Sequence, residues 1–338
     1  MTDQGRDLHR LAADSAAAPT ARESAAIERA IAATLAELLE RDDETALARV
    51  FETAPTRDVY RLLWRVLESL AGRAAEGDSG VGVALFAIPL VVVAGSTRRG
   101  ATLAIPGIVA DPAPLAAILR KHGALEGNPT LALANALAAT DAIELRRLPL
   151  LLRNRRTEAL AASVDVAPAP IPIADEETAD LRFLVGAALM SSGAELPRTP
   201  LSPSGAAALA RSLTSALSIP GASVLALPRG LHSLPAAVAV GQAAQREVAA
   251  QLFISRSVRE IRATVGEPVA TIAAQADVVE LCLVSPLAAT AEMMLESRVH
   301  AGERPADVVT MLADLLHDCR IADVRVSGDV APARRDAH

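Results

Sequence analysis

Residues 79–97, SGVGVALFAIPLVVVAGST, decide how the fold is interpreted because they contain no charged residue. The run is close to the length of a membrane-spanning helix, and the arginines that follow it would form a cytoplasmic flank. Pro89 in its middle, the valines at 91–93 and the glycines near both ends oppose a helix. A strand buried on both faces is also a continuous apolar run. The stretch therefore predicts one buried strand, or two joined at Pro89, and disfavours a membrane span.

The next residues allow either a phosphate-binding turn or a buried hairpin within residues 90–107, LVVVAGSTRRGATLAIPG. Backbone amides and two guanidinium groups in such a turn would hold an anion. A phosphate cradle needs a helix directly after it, which Pro106 and Gly107 oppose, and the turn matches neither GxGxxG nor the Walker A pattern. The stretch therefore predicts a hairpin with an arginine-bearing turn. The candidates for anion binding in that turn are Ser96, Thr97, Arg98 and Arg99.

Helical periodicity dominates the chain before this run. Apolar residues recur at spacings of three and four between about 22 and 40, and Thr56 precedes a strongly amphipathic stretch. These patterns predict an N-terminal helical layer, which serves either as a cap over the sheet or as a docking surface. Residues 1–20 lack the apolar segment of an export signal and are expected to be a flexible tail.

Residues 165–178, DVAPAPIPIADEET, are predicted to be an extended Pro-rich connector. Before it, Asp111-Pro112 is typical of a helix start, and LALANAL at 131–137 fits a strand or a helix equally. The predicted organisation is a tail at 1–20, the helical layer with a first α/β half at 21–164, the connector, a second α/β half at 179–328 and a tail at 329–338.

The C-terminal region predicts a long helix, two strands around residues 275–277, a further helix and a closing strand. This α-β-β-α-β unit, the helical layer and the apolar run together indicate an α/β or α+β protein, with an apolar buried sheet covered by helices. Aromatic residues make up only 2% of the chain, so aliphatic residues and alanine must fill the core at close spacing.

Glu247 breaks the apolar stripe of the long helix. It falls between Ala243 and Ala250 at helical spacing, which places a carboxylate on the face expected to be buried. A buried carboxylate costs several kcal/mol unless it is paired or protonated. Glu247 is therefore the one candidate catalytic residue, and a structural ion pair is the competing interpretation.

Residues 141–156, DAIELRRLPLLLRNRR, contain the only concentration of positive charge. It would suit anionic lipid or an acidic partner, although arginines on a solvated face are also common. The segment has no aromatic side chain to stack on bases, and the net charge of −7 argues against a general nucleic-acid partner. The candidate interaction residues are Arg146, Arg147, Arg153, Arg155 and Arg156.

The sequence predicts no cofactor and no metal site. His317 and Cys319, two positions apart on a helix, point in different directions and cannot easily share a metal. The two cysteines cannot form a disulfide framework and suit a reducing compartment. Lys121 is the only lysine among 33 basic residues, a bias typical of high-GC bacterial coding.

Three functions remain open at this point. The leading hypothesis is a non-enzymatic structural or adaptor protein of a bacterial cytoplasm, acting as a homo-oligomer or by docking to a protein partner. The alternative is an enzyme or binding protein for an anionic small molecule, which would use the turn at 96–99 and Glu247. The third is peripheral membrane association through residues 146–156.

Overall fold

The computed structural model shows an α+β protein, which confirms the predicted fold class. The chain divides into two units, one of Met1–Asp175 with Asp180–Gly241 and one of Glu176–Ala179 with Gln242–His338. The residues described are 3–41, 44–75, 81–95, 103–105, 107–124, 130–139, 170–173, 176–191, 201–217, 219, 222–229, 231, 234–264, 266–275, 277–285, 292–300 and 303–328.

Four helices at the start of the first unit form the predicted helical layer. Their bounds are Asp3–Ala17 (α1), Ala21–Glu40 (α2), Glu44–Glu52 (α3) and Arg57–Ala75 (α4). The start of α4 follows the sequence prediction, because the hydroxyl of Thr56 accepts the N–H of Val59 at 3.3 Å. Trp64 on α4 packs edge-on against Phe51 of α3. The layer shares one apolar cluster with the first sheet, so it acts as a cap over that sheet.

Helix α1 occupies most of the segment that was expected to be a flexible tail, and that expectation is wrong for residues 3–17. Leu8 and Ala12 are buried, and Nε2 of His9 lies 2.6 Å from the carbonyl oxygen of Val50. The apolar stripe of α1 is narrow and built partly from alanine, so its sequence pattern is weak. Packing against α2 and α4 supplies the stability that the pattern alone does not indicate.

The first sheet is built around two fourteen-residue strands, β1 and β6, in the order β3-β6-β1-β7, with β4 also paired to β6. Residues 86–92 of β1 and 181–188 of β6 are buried, which confirms a buried strand in the apolar run. No described helix is long and apolar enough to cross a membrane. The bounds are Val81–Ala94 (β1), Thr130–Leu133 (β3), Ala138–Ala139 (β4), Thr178–Ser191 (β6) and Ala222–Ala226 (β7).

The predicted hairpin is wrong. Strand β2 (Leu103–Ile105) pairs antiparallel with β5 (Ile171–Ile173) in a separate two-stranded sheet, while β1 pairs with β6 and β7. Because β7 pairs with Leu90–Ala94 and β6 lies on the other side of β1, the end of β1 from which a hairpin would continue has no edge left for β2. The open alternative at 131–137 is resolved as a strand as far as Leu133, and Ala136 forms an isolated bridge with Ile108.

Strand β1 passes through Pro89 without interruption, so it is one strand and not two. The carbonyl of Pro89 accepts the N–H of Leu227 at 2.9 Å, so the backbone of residue 89 is directed toward the β7 side. The absence of an N–H on proline therefore removes one backbone hydrogen bond to β7 and none to β6. The β1–β7 register accordingly starts one residue later, with Leu90 opposite Ala226.

Helices α5 (Ala113–Lys121) and α6 (Pro203–Ala216) share a second apolar cluster with residues of the first sheet. The predicted start of α5 is confirmed, because Asp111 Oδ1 accepts the N–H of Ala113 at 2.9 Å. Gly123, with φ +60°, follows the helix in the left-handed conformation.

The second unit contains one sheet with the order β10-β9-β8-β11, in which β11 is parallel to β8 and the other pairs are antiparallel. Its core includes Ile254, Leu281 and Leu312. The predicted α-β-β-α-β unit is present with one further strand, β10. The bounds are Leu234–Thr264 (α7), Val269–Ala274 (β8), Val278–Val284 (β9), Glu292–Arg298 (β10), Pro305–Asp318 (α8) and Val324–Ser327 (β11).

The division between the units differs from the predicted boundary at 165–178. It falls between Gly241 and Gln242, inside α7, and residues 176–179 belong to the second unit. The helix is continuous across this position, and a single glycine, Gly241, inside a helical pattern does not by itself indicate a boundary. The described part of the predicted connector includes the short strand β5.

Candidate functional site

Two of the predicted sites lie outside the described residues. They are the anion-binding turn, with Ser96, Thr97, Arg98 and Arg99, and the basic segment with Arg146, Arg147, Arg153, Arg155 and Arg156. Both stay predictions.

Glu247 is exposed, so the prediction that it faces a core is wrong. The buried positions of α7 fall into two groups, one ending at Gly241 and the other beginning at Ala250. Glu247 lies between them, where the apolar stripe continues in sequence but the side chain is exposed. Helical spacing predicted the face of Glu247 correctly but not the extent of the core along the helix.

Glu247 lines an acidic groove of about 480 Å³ in the second unit. Asp307 at the start of α8 already forms a bidentate pair with Arg304, at 2.7 and 3.1 Å, which lowers the pKa of its carboxyl. Among the described residues no group of three or more His, Cys, Asp or Glu side chains is arranged to hold a metal ion. The groove is therefore an acidic surface without a coordinating geometry. Its other lining residues are Thr310, Met311, Asp314, Leu315 and Asp318.

A second groove, of about 360 Å³, lies in the helical layer. Ser15 and Ser24 line it and share a hydrogen bond of 3.0 Å, while Arg65 donates to Glu28 at 2.5 Å. These polar groups satisfy one another, and nothing in the groove points to a ligand.

Arg182 in β6 is a buried arginine that the sequence patterns did not indicate. It pairs with Asp180 at 2.7 Å and donates to the carbonyl of Pro170 at 3.0 Å. Because both contacts satisfy its guanidinium within the first unit, we assign it a structural role.

Strand β10 forms one edge of the second sheet. It pairs over all seven residues, from Glu292 to Arg298, with β9. Immediately after it, the N–H of Val299 donates to the carbonyl of Asp277 at 2.7 Å. Because backbone groups alternate in direction along an antiparallel ladder, the odd-numbered residues of β10 face β9 and the even-numbered residues direct N–H and C=O to the other side. Among the described strands none pairs with that side.

The side chains of β10 alternate between the two faces of the sheet. The odd-numbered Met293, Leu295 and Ser297 are partly or fully buried, and the first two pack against the core of the unit. Met294 is 54% exposed, the most exposed large apolar side chain on any described strand. The even-numbered residues, all exposed, are Glu292, Met294, Glu296 and Arg298.

The β10 edge lacks several of the features that usually protect an edge strand, although three of its four outward-facing side chains, Glu292, Glu296 and Arg298, are charged. Proline, lysine, bulges or very short strands commonly prevent edge-to-edge pairing. The sequence EMMLESR contains no proline or lysine, and its register with β9 has no bulge. The other edge strands that the structure describes are shorter: β7 has five residues and is followed closely by Pro228, β11 has four and ends beside Gly328, and β2, β3, β4 and β5 have two to four residues each. β10 is therefore the edge best suited to accept another strand.

A largely buried ion pair fixes the end of β10. Arg246 of α7 pairs with Glu303 at 2.7 Å, and Glu303 also accepts the backbone N–H of His300 at 3.0 Å. Burial and then the charge of Arg246 lower the pKa of His300; the charge of Glu303 opposes them, and that of Arg298 adds a smaller lowering effect. The turn after β10 is thus tied to α7 by side-chain contacts.

Cys282 lies on β9 directly opposite Met294, on the exposed face of the sheet. Its Sγ donates to Oε1 of Glu292 at 3.3 Å. Burial, followed by the hydrogen bond and charge of Glu292, raises the pKa of this thiol. The thiol is therefore kept in its neutral form.

The β10 edge was missed because its residues favour helices, since Glu, Met, Leu and Arg are all helix formers. The available signal was the alternation of E-M-E-R on one face with M-L-S on the other.

Comparison of the chain with family models, with curated proteins and with solved structures found no match.

Proposed function

We propose that this chain is a non-enzymatic structural or adaptor protein of a bacterial cytoplasm, and that it assembles through the β10 edge. The observation that supports this most directly is a seven-residue edge strand without proline, lysine or bulge, with an exposed methionine at its centre. Such an edge binds a further strand through main-chain hydrogen bonds, and its alternate side chains provide specificity.

The proposed compartment and origin rest on composition. Cys282 and Cys319 are both free thiols, and two cysteines are too few for a disulfide framework, which favours a reducing compartment. Lys121 is the only lysine among 33 basic residues, which favours a high-GC bacterial source.

The alternative functions have less support. The exposed position of Glu247 removes the reason for choosing it as an acid or base. The anion-binding turn and the basic segment lie outside the described residues, so neither supplies an observation in favour of an anionic ligand or a membrane surface.

Sedimentation equilibrium of the full chain and of a Glu296→Pro variant tests the proposal. Residue 296 directs its N–H away from β9, so proline there removes an outward donor and leaves the β9 ladder in place. We expect the chain to self-associate between about 1 and 100 µM, and the variant to bind itself at least about tenfold more weakly.

Val224→Pro, once shown to be folded by circular dichroism, is the control at a partly buried edge position. Its N–H points away from β1 at the edge strand β7, as shown by the pairing of the neighbouring Leu227 and Pro89. We expect Val224→Pro to associate like the unchanged chain. Self-association that is lost equally in both variants, or a chain that stays monomeric over the whole range, would contradict assembly through β10.

A further inference from the structure

We infer that the partner of the β10 edge is a second copy of this chain, paired antiparallel about a two-fold axis at Leu295. This inference rests on the proposed function and adds the identity of the partner and the register. It follows from the direction of the backbone groups and from the order of charges along β10.

The backbone restricts which residues can face each other. Even-numbered residues of β10 direct their N–H and C=O groups to the open edge, so two copies form antiparallel hydrogen bonds only where even positions face even positions. The two-fold axis then lies at residue 294, 295 or 296 if most of the strand is paired.

The charges select one of these three registers. An axis at 294 places Glu292 opposite the second copy's Glu296, and an axis at 296 places the two copies of Glu296 opposite each other. Like charges directly opposite each other destabilise a sheet. The axis at Leu295 places Glu292 opposite Arg298 of the other copy, twice, and places Glu296 opposite Met294. It is the only one of the three that pairs opposite charges and leaves no like charges opposed.

The same register suits the apolar residues. On the core side, Leu295 faces its own copy as a non-hydrogen-bonded pair, where side chains approach most closely. On the outer side the two copies of Met294 become diagonal neighbours, about 7–8 Å apart and within reach of each other, and the two copies of Glu296 form the other diagonal, where their side chains can diverge into solvent. The most exposed apolar side chain on a described strand would thus gain an apolar contact.

A charge-swap cycle in the full chain tests the register. In Glu292→Arg, and separately in Arg298→Glu, two like-charge pairs replace two opposite-charge pairs. We expect each single variant to weaken dimerisation about tenfold, and the double variant to return to within about threefold of the unchanged chain. Glu247→Arg, the same charge change at an exposed site outside β10, controls for net charge and should have no comparable effect.

Cysteine substitution gives an independent readout, in a background in which Cys282 and Cys319 are replaced by alanine. The variants are Met294→Cys, Leu295→Cys and Glu296→Cys, each of which meets its own copy in one register only. Under mild oxidation we expect the 295 variant to form a covalent dimer fastest. Circular dichroism of each variant establishes that it is folded.

The two proposals fail in different ways. Dimers that are sensitive to Glu296→Pro but not rescued by the double charge swap, or that crosslink fastest at 294 or 296, would overturn the register while leaving assembly through β10 intact. A monomeric chain overturns both. This includes the case in which β10 pairs with a different protein, because both proposals require the purified chain to associate with itself.

Discussion

At Gly186 in β6, only a hydrogen atom fits as the side chain. A Cβ added there would overlap Cζ of Phe86 and lie 2.7 Å from Cδ2 of Leu133. The ring of Phe86 is fully buried and cannot move aside without displacing its neighbours. We therefore expect Gly186→Ala to lower the free energy of unfolding by about 1–3 kcal/mol, measured by urea denaturation.

Gly205→Ala provides the comparison for this substitution. Gly205 lies in the first turn of α6, where an added Cβ would meet only Oγ of Ser202, at 3.1 Å. Adding Phe86→Leu to Gly186→Ala should recover part of the lost stability because it removes the clashing ring edge. Equal losses in the two alanine variants would show that steric overlap is not the cause.

His300 makes the stability of the second unit depend on pH. Its pKa is lowered from 6.5, mainly by burial and then by the charge of Arg246. As the pH falls, the unfolded chain therefore binds a proton at His300 more readily than the folded chain does. The contribution of neutral His300 to the free energy of unfolding is complete above about pH 6.5 and declines as the pH falls below that value. We expect His300→Gln to lose less stability than the unchanged chain between about pH 7.5 and 5.5.

Thermal unfolding at both pH values measures this difference. Glu303 and Arg298 are the other charged groups that act on His300. The same pH dependence in the variant and in the unchanged chain would exclude His300 as its source.

At the level of elements, the sequence predicted most helices and strands because their signals are local. Thr56 and Asp111 form the expected caps, and the apolar run contains a strand. The pairing of that strand was not predictable, because β6 and β7, its neighbours in the sheet, lie about 90 or more positions later in the chain. The hairpin prediction was wrong because the strands that pair with β1 are distant in sequence.

The candidate site shows the same limit. The alternation in EMMLESR identifies two faces, but whether β10 is an edge depends on which strands pair with it. For Glu247 the sequence predicted the correct face of the helix. It did not predict that this part of the face is exposed. In both cases a periodic pattern gives orientation within an element, while burial and exposure depend on the neighbours of that element.

At the scale of the whole molecule, the two units have separate apolar cores. Trp64, the only tryptophan, lies in the first, and the fully buried Leu281 lies in the second. We expect Leu281→Ala to lower the stability of the second unit by about 2–5 kcal/mol. The tryptophan fluorescence midpoint in urea should stay unchanged, while the circular dichroism transition becomes broader or biphasic.

Leu63→Ala, a buried leucine on α4, is the reciprocal variant and should move the fluorescence midpoint. If Leu281→Ala moved that midpoint by as much as Leu63→Ala, the chain would unfold as one cooperative body.

The contact between Cys282 and Glu292 has a consequence for the reactivity of the outer sheet face. Alkylating and oxidising reagents attack the thiolate, and the raised pKa of Cys282 keeps that form scarce at neutral pH. The sulfur of Cys282 is partly accessible, and its low reactivity follows from its neutral thiol form and not from complete burial. Modification of the Cys282 thiol should therefore become faster when the ends of β9 and β10 separate and the carboxylate leaves the thiol.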